Sequence, residues 1–483
     1  MKDVELKEVD QAKQLMTREI NGCVKVTVPE NTGVKYGLSK DELIKIAGTA
    51  GWIRTRWALL VLFWLGWVGM LAGAIVIIVQ APRCKPIPEM NWWNQGLLYQ
   101  ISDVNAFSDN GLKGVEEKLD YLSQMKVKGL VLGPIHTVKA DQPNTLDLTS
   151  VKPEVGTENE LESLLKEAHK KGISIVLNLT PSYEGESVWF HNLTAVAEKI
   201  KEACTYWLNK GLDGIFLSNL GDLEKSDSWP SIQAIFNQTD KTKKVALMGS
   251  VTSLSVDDIS VLLNRSGVDL LLTGQPDPAE SGKKQAEVIQ KLGHLQMSLG
   301  WSLSGRTLGS LASRTPAVPV KLFHILLFTL PGTPVLNTGD EVGLKTGEKP
   351  QTMWDLKTPD EETNATAKAL QEERIAVRNF FKALSDLRGK ERSLLHGEYV
   401  SLYSSPTSLA FLRLWDQSER FLTAVNWGTD SVTMKLTYSD LPAQAQVRLS
   451  TDAANLAVDR MVSLQKLELG PKQAVLLSYP YAG

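Results

Sequence analysis

Cysteine and histidine are scarce in this sequence of 483 residues, which contains three Cys and six His. Three thiols cannot form the disulfide framework that stabilises small secreted domains, so the fold must rely on a hydrophobic core. No His lies at ligand spacing from a Cys, Asp or Glu, and we therefore expect no metal site and no cofactor. Basic residues are not in excess either, since Lys and Arg number 52 against 55 Asp and Glu. This balance argues against nucleic acid as a partner.

One segment carries no charge at all, the 23 residues from Trp57 to Val79. As a helix it would be about 35 Å long, against a hydrocarbon thickness of about 30 Å in a membrane. A buried core helix is rarely this long and apolar, and a cleaved signal peptide would be shorter and closer to the N-terminus. We therefore expect a single transmembrane helix at residues 57–79.

Basic residues are more frequent just before this span than just after it. The residues concerned are Lys40, Lys45, Arg54 and Arg56 before it, and Arg83 and Lys85 after it. Because cytoplasmic flanks of membrane helices carry the excess of Lys and Arg, the N-terminus is predicted to be cytoplasmic. The chain would then be a single-pass type II protein with a cytoplasmic tail at 1–56, an extracellular tether at 80–94 and an extracellular remainder.

Small residues lie on one face of the predicted span, where Gly66, Gly69 and Gly73 are spaced three and four apart. Such a face lets another helix approach closely, although contact with membrane lipid alone is the alternative. Four tryptophans flank the span, at Trp52, Trp57, Trp92 and Trp93. They are typical of interfacial anchors, but the last two could equally begin the folded domain.

The three cysteines have different expected environments. Cys23 lies in the cytoplasmic tail and should stay reduced. Cys204 lies on the apolar face of a helical pattern and is predicted to be a buried free thiol. Cys84 lies in the Pro-rich stretch "QAPRCKPIP", in an oxidising compartment and with no obvious partner in its own domain. This position favours an intermolecular disulfide, with palmitoylation or a free thiol as alternatives.

The extracellular part begins with alternating strands and helices. Nearly continuous apolar runs separated by helical patterns are typical of a parallel sheet covered on both faces. Eight strands are predicted to start at Tyr99, Leu130, Ile175, Ile215, Val245, Leu270, Leu299 and Val335. The predicted fold class is therefore α/β, with a (β/α)8 TIM barrel at residues 95–390. Short alternating strands at residues 391–483 predict a C-terminal antiparallel β-sandwich.

Four stretches resemble the α-amylase and α-glucosidase family: "LYQISDVNAFSDNGLKGVEEKLDYLSQMKVKGLVLGPIH", "VGTENELESLLKEAHKKGISIVLNLTPSY", "GLDGIFL" and "LLFTLPGTPVLNTGDEVGL". The family usually inserts a domain after the third strand of its barrel. Only about 28 residues separate Tyr183 from Gly211 here, so the insertion, and with it the family's usual calcium site, is expected to be missing.

The chemistry of that family needs two carboxylates around the glycosidic oxygen, with a third that binds sugar hydroxyls. At the positions that the resemblance assigns to these carboxylates, the sequence has Ser218, Ser250 and Ser304. Phe216 stands where the family has an Arg beside the nucleophile. Serine supplies neither a general acid nor an activated nucleophile by itself, so no catalytic residues are expected and the chain is predicted not to be an enzyme.

A type II protein with a juxtamembrane Cys and such a barrel resembles the heavy subunits of heteromeric amino acid transporters. The stretches "RTRWALL", "APRC", "KVKGLVLGPIH" and "KERSLLHG" add to this resemblance. It implies an accessory role at the plasma membrane, with an interchain disulfide through Cys84 to a multispan light subunit. It also implies a link to integrin signalling, with integrin β subunits as partners.

Glycosylation sequons occur at Asn178 and at four further positions. Asn178 lies inside a predicted strand, where a glycan would be buried, so it is predicted to be unmodified. The predicted N-glycosylation sites are Asn192, Asn237, Asn264 and Asn364. The remaining functional alternative is a cell-surface carbohydrate-binding or adhesion receptor built on an inactive glycosidase barrel.

Overall fold

The computed structural model describes residues 39–81, 85–136, 146–180, 193–238, 244–251, 255–305, 308–354, 356 and 365–482. The chain divides into two compact units, residues 1–83 and residues 84–483. Cys23, Cys84, Asn192 and Asn364 lie outside the described residues.

The first unit consists of two helices, α1 (Lys40–Ala47) and α2 (Ala50–Gln80). A capping box begins α1, where the Ser39 side chain accepts from the backbone of Glu42 and the Glu42 side chain accepts from the backbone of Ser39. Helix α2 contains the whole charge-free run and begins before it, because Arg and Thr residues continue a helix as readily as apolar ones. It is the one helix in the described part of the chain that is long and apolar enough to cross a membrane.

Eight parallel strands of the second unit form a closed barrel in sequence order, and β8 pairs with β1. Their bounds are β1 Leu97–Ile101, β2 Val127–Leu132, β3 Ser174–Asn178, β4 Gly214–Leu217, β5 Ala246–Val251, β6 Leu270–Thr273, β7 Leu299–Ser302 and β8 Thr333–Asn337. Apolar side chains occupy both faces of these strands, since one face fills the barrel and the other packs on helices. The predicted barrel is confirmed.

Helices surround the barrel. Those before β5 are α3 Val104–Phe107, α4 Gly111–Glu117, α5 Leu119–Gln124, α6 Glu158–Lys170, α7 Leu193–Asn209, α8 Leu220–Leu223 and α9 Trp229–Gln238. Those after it are α10 Val256–Ser266, α11 Gly282–Leu292, α12 Leu311–Arg314, α13 Val320–Thr329, α14 Ala365–Lys390 and α15 Arg392–His396. Cys204 lies on the buried face of α7 as a free thiol, as predicted, and burial raises its pKa to about 12.

The "GLDG" stretch at residues 211–214 fixes the start of β4. Gly211 has a φ of 99°, a conformation that favours glycine. The Asp213 carboxylate accepts a hydrogen bond from the backbone N–H of Ile175 at 2.8 Å and lies 2.7 Å from His169 Nε2. Asp213 therefore joins β3 to β4 at the amino end of the strands, so its role is structural.

Trp92 and Trp93 belong to the folded domain, which settles the alternative left open by the sequence. They lie in a 3₁₀ turn, Trp92–Asn94, next to the amino ends of the barrel strands. Trp92 Nε1 donates to the backbone oxygen of Lys244 at 3.1 Å, and the Trp93 oxygen accepts from Thr333 Oγ1 at 3.0 Å. Gly129 leaves room for the Trp92 ring, because a Cβ there would lie 2.6 Å from it. The tether thus enters at the amino end of the barrel.

The C-terminal domain is a β-sandwich of a six-stranded antiparallel sheet and a two-stranded one, as predicted. The strands are β9 Glu398–Ser404, β10 Ser408–Leu414, β11 Arg420–Asn426, β12 Val432–Met434, β13 Gln444–Ser450, β14 Met461–Ser463, β15 Leu467–Leu469 and β16 Gln473–Tyr479. The sheet orders are β14-β13-β16-β11-β10-β9 and β12-β15. Leucine, valine and alanine side chains from both sheets form its core.

Two buried arginines meet at the C-terminus of α13, Arg388 from α14 of the barrel and Arg413 from the C-terminal domain. Arg388 donates to the carbonyl oxygens of Phe328 at 2.5 Å and Leu330 at 3.2 Å, and also to that of Gly332. Arg413, on β10, donates to the Thr329 oxygen at 2.8 Å. A helix C-terminus leaves carbonyl groups without partners and carries a partial negative charge, so two cations are well placed there.

Candidate functional site

The inside of the barrel is filled by apolar side chains. Leu98, Val131, Val176, Phe216 and Met248 pack there, each from a different strand. Phe216, for which the resemblance predicts an Arg in the family's enzymes, is only 4% exposed. The strand interior therefore offers no cation that could orient a carboxylate.

Side chains alternate between the two faces of a strand, so the next inward-facing residue lies two positions further along. On six strands this next residue is polar and uncharged, and together the six residues form a ring at the carboxyl end of the barrel. This mouth ring consists of Gln100, Asn178, Ser218, Ser250, Ser302 and Asn337. Catalytic side chains of TIM-barrel enzymes come from this end. The mouth ring has hydrogen-bonding capacity but no side chain that titrates near neutral pH.

Ser218 and Ser250 stand next to each other in the sheet. The register pairs Leu217 of β4 with Gly249 of β5, so the residues that follow them are neighbours. The backbone N–H of Ser218 donates to Thr180 Oγ1 at 2.7 Å. Two hydroxyl groups thus lie side by side where the resemblance predicts the two carboxylates of a retaining glycosidase, which are about 5 Å apart.

Ser304 contacts a carboxylate that sequence reasoning missed. Its hydroxyl donates to Asp340, which follows β8, and Asp340 also accepts from the backbone N–H groups of Leu311 at 3.0 Å and Asn337 at 3.3 Å. The Asn337 amide donates to the Ser304 oxygen at 2.9 Å. The acidic pair in "GDEVG" was visible in the sequence, but its contact with Ser304 spans 36 residues.

Asp340 is buried and only 2% exposed, so a sugar could not reach it. Burial raises its pKa to about 6, against the lowering effect of its three donors. The next residue, Glu341, is fully buried and accepts from Tyr99 Oη at 2.8 Å and from the Gly339 N–H at 2.9 Å. Burial raises the pKa of Glu341 to about 7. These two acids are buried and hold the loop after β8 in place through their hydrogen bonds.

This acidic pair makes stability depend on pH. A carboxyl with a pKa raised in the folded state binds its proton more tightly there, so stability falls as pH rises from about 4.5 to about 7. Over that pH range Glu341 should lower the free energy of unfolding of the wild-type protein by roughly 3 kcal/mol. The Glu341→Gln variant should not show this decrease. Unfolding midpoints measured at pH 5 and pH 7.5 check this. Glu372 is exposed, so the control variant Glu372→Gln should keep the pH dependence of the wild-type protein. If Glu341→Gln also kept the wild-type pH dependence, the prediction would be contradicted.

The described residues contain no cluster of three or more His, Cys, Asp or Glu side chains placed to hold a metal ion. Of the sequon residues in that part of the chain, Asn237 lies exposed near the end of α9 and Asn264 lies exposed in the last turn of α10. Asn178 is half-buried at the end of β3, where its side-chain oxygen accepts from the N–H of Thr180 at 2.9 Å. Glycosylation at the predicted positions stays a prediction.

The described part of the second unit begins at Lys85, the residue after Cys84. Its backbone N–H donates to Asp416 Oδ2 at 2.7 Å, and its Nζ lies 2.8 Å from Glu398 Oε1. In the first unit, Gly66, Gly69 and Gly73 lie on α2 with open space where a Cβ would be.

Comparisons with known proteins place these features in a family. A family model described as "Solute carrier family 3 member 2 N-terminus" matches residues 24–99, and "Alpha amylase, catalytic domain" matches residues 99–196. The amino acid transporter heavy chain SLC3A2 of Rattus norvegicus is 40% identical over 523 residues, covering 100% of this chain and 98% of that protein. The amino acid transporter heavy chain SLC3A1 of Homo sapiens is 23% identical over 581 residues, covering 88% and 84%.

Solved structures show the same barrel. A debranching enzyme of Nostoc punctiforme has a TM-score of 0.63 at 20% identity and covers 82% of this chain and 100% of that one. This likeness concerns the fold alone.

An apolar helix followed by an amylase-type barrel with an uncharged mouth defines a class of membrane-associated, amylase-like proteins. Within that class, the full-length identity shows that the chain belongs to the family of amino acid transporter heavy chains.

Proposed function

We propose that this chain is the accessory heavy subunit of a heteromeric amino acid transporter, which stabilises a multispan light subunit and brings it to the plasma membrane. The observation that carries the proposal is the 40% identity to named heavy chains over the whole chain, including the apolar helix and the tether. The light subunit would be of the large-neutral, cationic or cystine-exchange kind. Integrin β subunits are proposed as further partners through the span and the cytoplasmic tail.

The transport path belongs to the partner, because one membrane helix cannot enclose a substrate site. Secondary transporters place that site at the middle of the membrane, between the helices of a bundle. Helix α2 is the only candidate span among the described residues. We propose that it crosses the plasma membrane with the N-terminus in the cytoplasm, on the support of the basic residues before it. The glycine face at Gly66, Gly69 and Gly73 is its proposed contact with a partner helix.

We propose that the barrel is catalytically inactive. Ser218 and Ser250 carry hydroxyl groups, Phe216 is buried, and the buried acid that contacts Ser304, Asp340, is held by three donors. Glycoside hydrolysis needs an acid and a nucleophile or base on opposite sides of the bond. The barrel would therefore serve as a rigid extracellular body.

The covalent link is proposed at Cys84, which lies one residue before the anchored Lys85. Changing Cys84 to Ser is expected to abolish a high-mass band that disappears on reduction, because no other thiol of the ectodomain is accessible. The measurement is a non-reducing gel of the full chain from intact cells. The matched control is Cys204→Ala, since Cys204 is fully buried and burial raises its pKa.

The Cys204→Ala chain should give the wild-type band. A band that persists in Cys84→Ser, or that disappears in Cys204→Ala alone, would contradict the proposed link. Loss of the band with retained copurification of the partner would still agree with the accessory role, because noncovalent contacts can hold the two chains together.

A further inference from the structure

Lys85 holds the start of the described ectodomain against one corner of the C-terminal domain. Its backbone N–H donates to Asp416 at 2.7 Å and its ammonium group lies 2.8 Å from Glu398. The two acids come from different elements, since Glu398 begins β9 and Asp416 lies in the turn between β10 and β11. Asp416 and Glu398 are called the acidic corner below.

Arg420 stabilises the turn that carries Asp416 of the acidic corner. Its guanidinium donates to the backbone oxygens of Trp415 at 2.5 Å and Ser418 at 3.0 Å, which closes the turn that carries Asp416. It also donates to Asp440 at 3.0 Å. Glu398 is held from the other side, because β9 pairs with β10 and places it opposite Leu414.

A second anchor follows seven residues later, where Trp92 donates to the Lys244 oxygen at the amino end of the barrel. The tether therefore has fixed positions at both Lys85 and Trp92. The second of these positions, Trp92, lies at the amino end of the barrel. The mouth ring is at the opposite end of the barrel.

The reach of a disulfide is short. Consecutive Cα atoms are about 3.8 Å apart, and the Cα atoms of a disulfide are about 6 Å apart. A partner cysteine bonded to Cys84 would therefore have its Cα within about 10 Å of the Cα of Lys85. The chain around that partner cysteine has to pass beside the surface on which Lys85 lies.

We propose that the acidic corner of the C-terminal domain is the surface against which the cysteine-bearing extracellular segment of the multispan partner lies, with Lys85 as the residue that positions it. This inference rests on the proposed function. It assigns the partner to the C-terminal domain and to the amino end of the barrel, away from the mouth ring. Lys85 is a positioning residue: it fixes where the disulfide forms.

Site-specific photocrosslinking in the full chain tests this, with benzoylphenylalanine at Gln417, which is exposed next to Asp416. The matched control position is Thr205, exposed on α7 between β3 and β4. The helix contacts of the sandwich are made mainly by α11, α13 and α15, so α7 is on a different side of the barrel. We expect irradiation to give an adduct from Gln417 that survives reduction and contains the same partner as the reducible band. Thr205 should give none.

Charge exchange tests the positioning role of Lys85. Lys85→Glu should lower the adduct fraction at Gln417 by about two- to five-fold, since an exposed ion pair has a modest effect. Lys85→Glu combined with Glu398→Lys should restore it. The reducible band should form in all these variants, because Cys84 is unchanged.

The outcomes separate the two proposals. If wild-type chain gives no reducible partner, the proposed function fails. If the reducible partner forms but crosslinks from Thr205 and not from Gln417, or if Lys85→Glu leaves the Gln417 adduct unchanged, this inference is overturned while the accessory role stands.

Discussion

Replacing Arg388 with leucine is expected to lower the free energy of unfolding of the ectodomain by about 3–5 kcal/mol. Arg388 is 3% exposed, and its guanidinium is the donor to three carbonyl groups of the α13 terminus and the loop that follows it. Leucine would leave those buried oxygens without a donor. Burial lowers the pKa of Arg388 to about 10, which still leaves it charged at neutral pH.

The carbonyl groups of residues 328–332 all accept a side-chain hydrogen bond. Arg388 donates to three of these oxygens and Arg413 donates to one. Trp301 Nε1 donates to the fifth, the Pro331 oxygen, at 2.6 Å. Since Arg413 comes from the C-terminal domain, the loss should weaken the contact between that domain and the barrel as well.

Chemical unfolding of the purified full chain, followed by tryptophan fluorescence, measures the effect of Arg388→Leu. Exposed Arg392→Leu is the matched control and should change stability by less than about 0.5 kcal/mol. Arg388→Lys should lie between the two, because one ammonium group cannot reach all three oxygens. A loss below about 1 kcal/mol in Arg388→Leu would contradict the role given to this residue.

Replacing Phe216 with arginine, the residue that the resemblance predicts there in the family's enzymes, is expected to destabilise the barrel by more than about 4 kcal/mol. Phe216 is buried among the side chains of Leu98, Val176 and Met248 inside the barrel. A guanidinium there would lose its hydration and meet no opposite charge. The apolar side chains packed around the aromatic ring leave no polar group to receive the charge.

A second substitution separates charge from size. Ser218 lies two residues after Phe216 on the same face of the strand, so an aspartate there could pair with an arginine at position 216. The double variant Phe216→Arg, Ser218→Asp should therefore be about 1–2 kcal/mol more stable than Phe216→Arg alone. Phe216→Leu should cost only about 1–2 kcal/mol, because it keeps the site apolar. Unfolding midpoints of the three variants check this. Equal stability of Phe216→Arg and Phe216→Leu would show that the barrel interior tolerates the charge.

The barrel could be predicted from the sequence because the determinants of its strands are local. A buried parallel strand needs a short apolar run, and runs such as "GIFL" of β4 and "LLLT" of β6 mark such strands directly. The same holds for the charge-free run in α2, whose length and composition identify a possible span without any knowledge of its neighbours.

Contacts between residues far apart in the chain could not be predicted in this way. The sequence indicated that Ser304 replaces a carboxylate, but not that it donates to Asp340 from the next loop. The contact of Lys85 with Asp416 spans 331 residues and depends on how the sandwich packs on the barrel. Nothing in the pattern around Arg388 shows that its charge is buried against carbonyl groups.

The stretch "GLDGIFLSN" combines a part that supports the barrel structure with a part that lacks charged side chains. Its first part, with Gly211 and Asp213, keeps the bonds that hold β4 in the barrel. Its last part, with Phe216 and Ser218, has an apolar ring and a hydroxyl where the chemistry of the fold would need charge.

The most direct test of the proposed role is capture of the tagged full chain from isolated plasma membranes, followed by mass spectrometry of the band released by reduction. We expect one multispan amino acid transporter subunit, linked through Cys84 and absent from the Cys84→Ser sample. A chain that reaches the plasma membrane without any reducible multispan partner, or whose partner is a second copy of itself, would contradict the proposal.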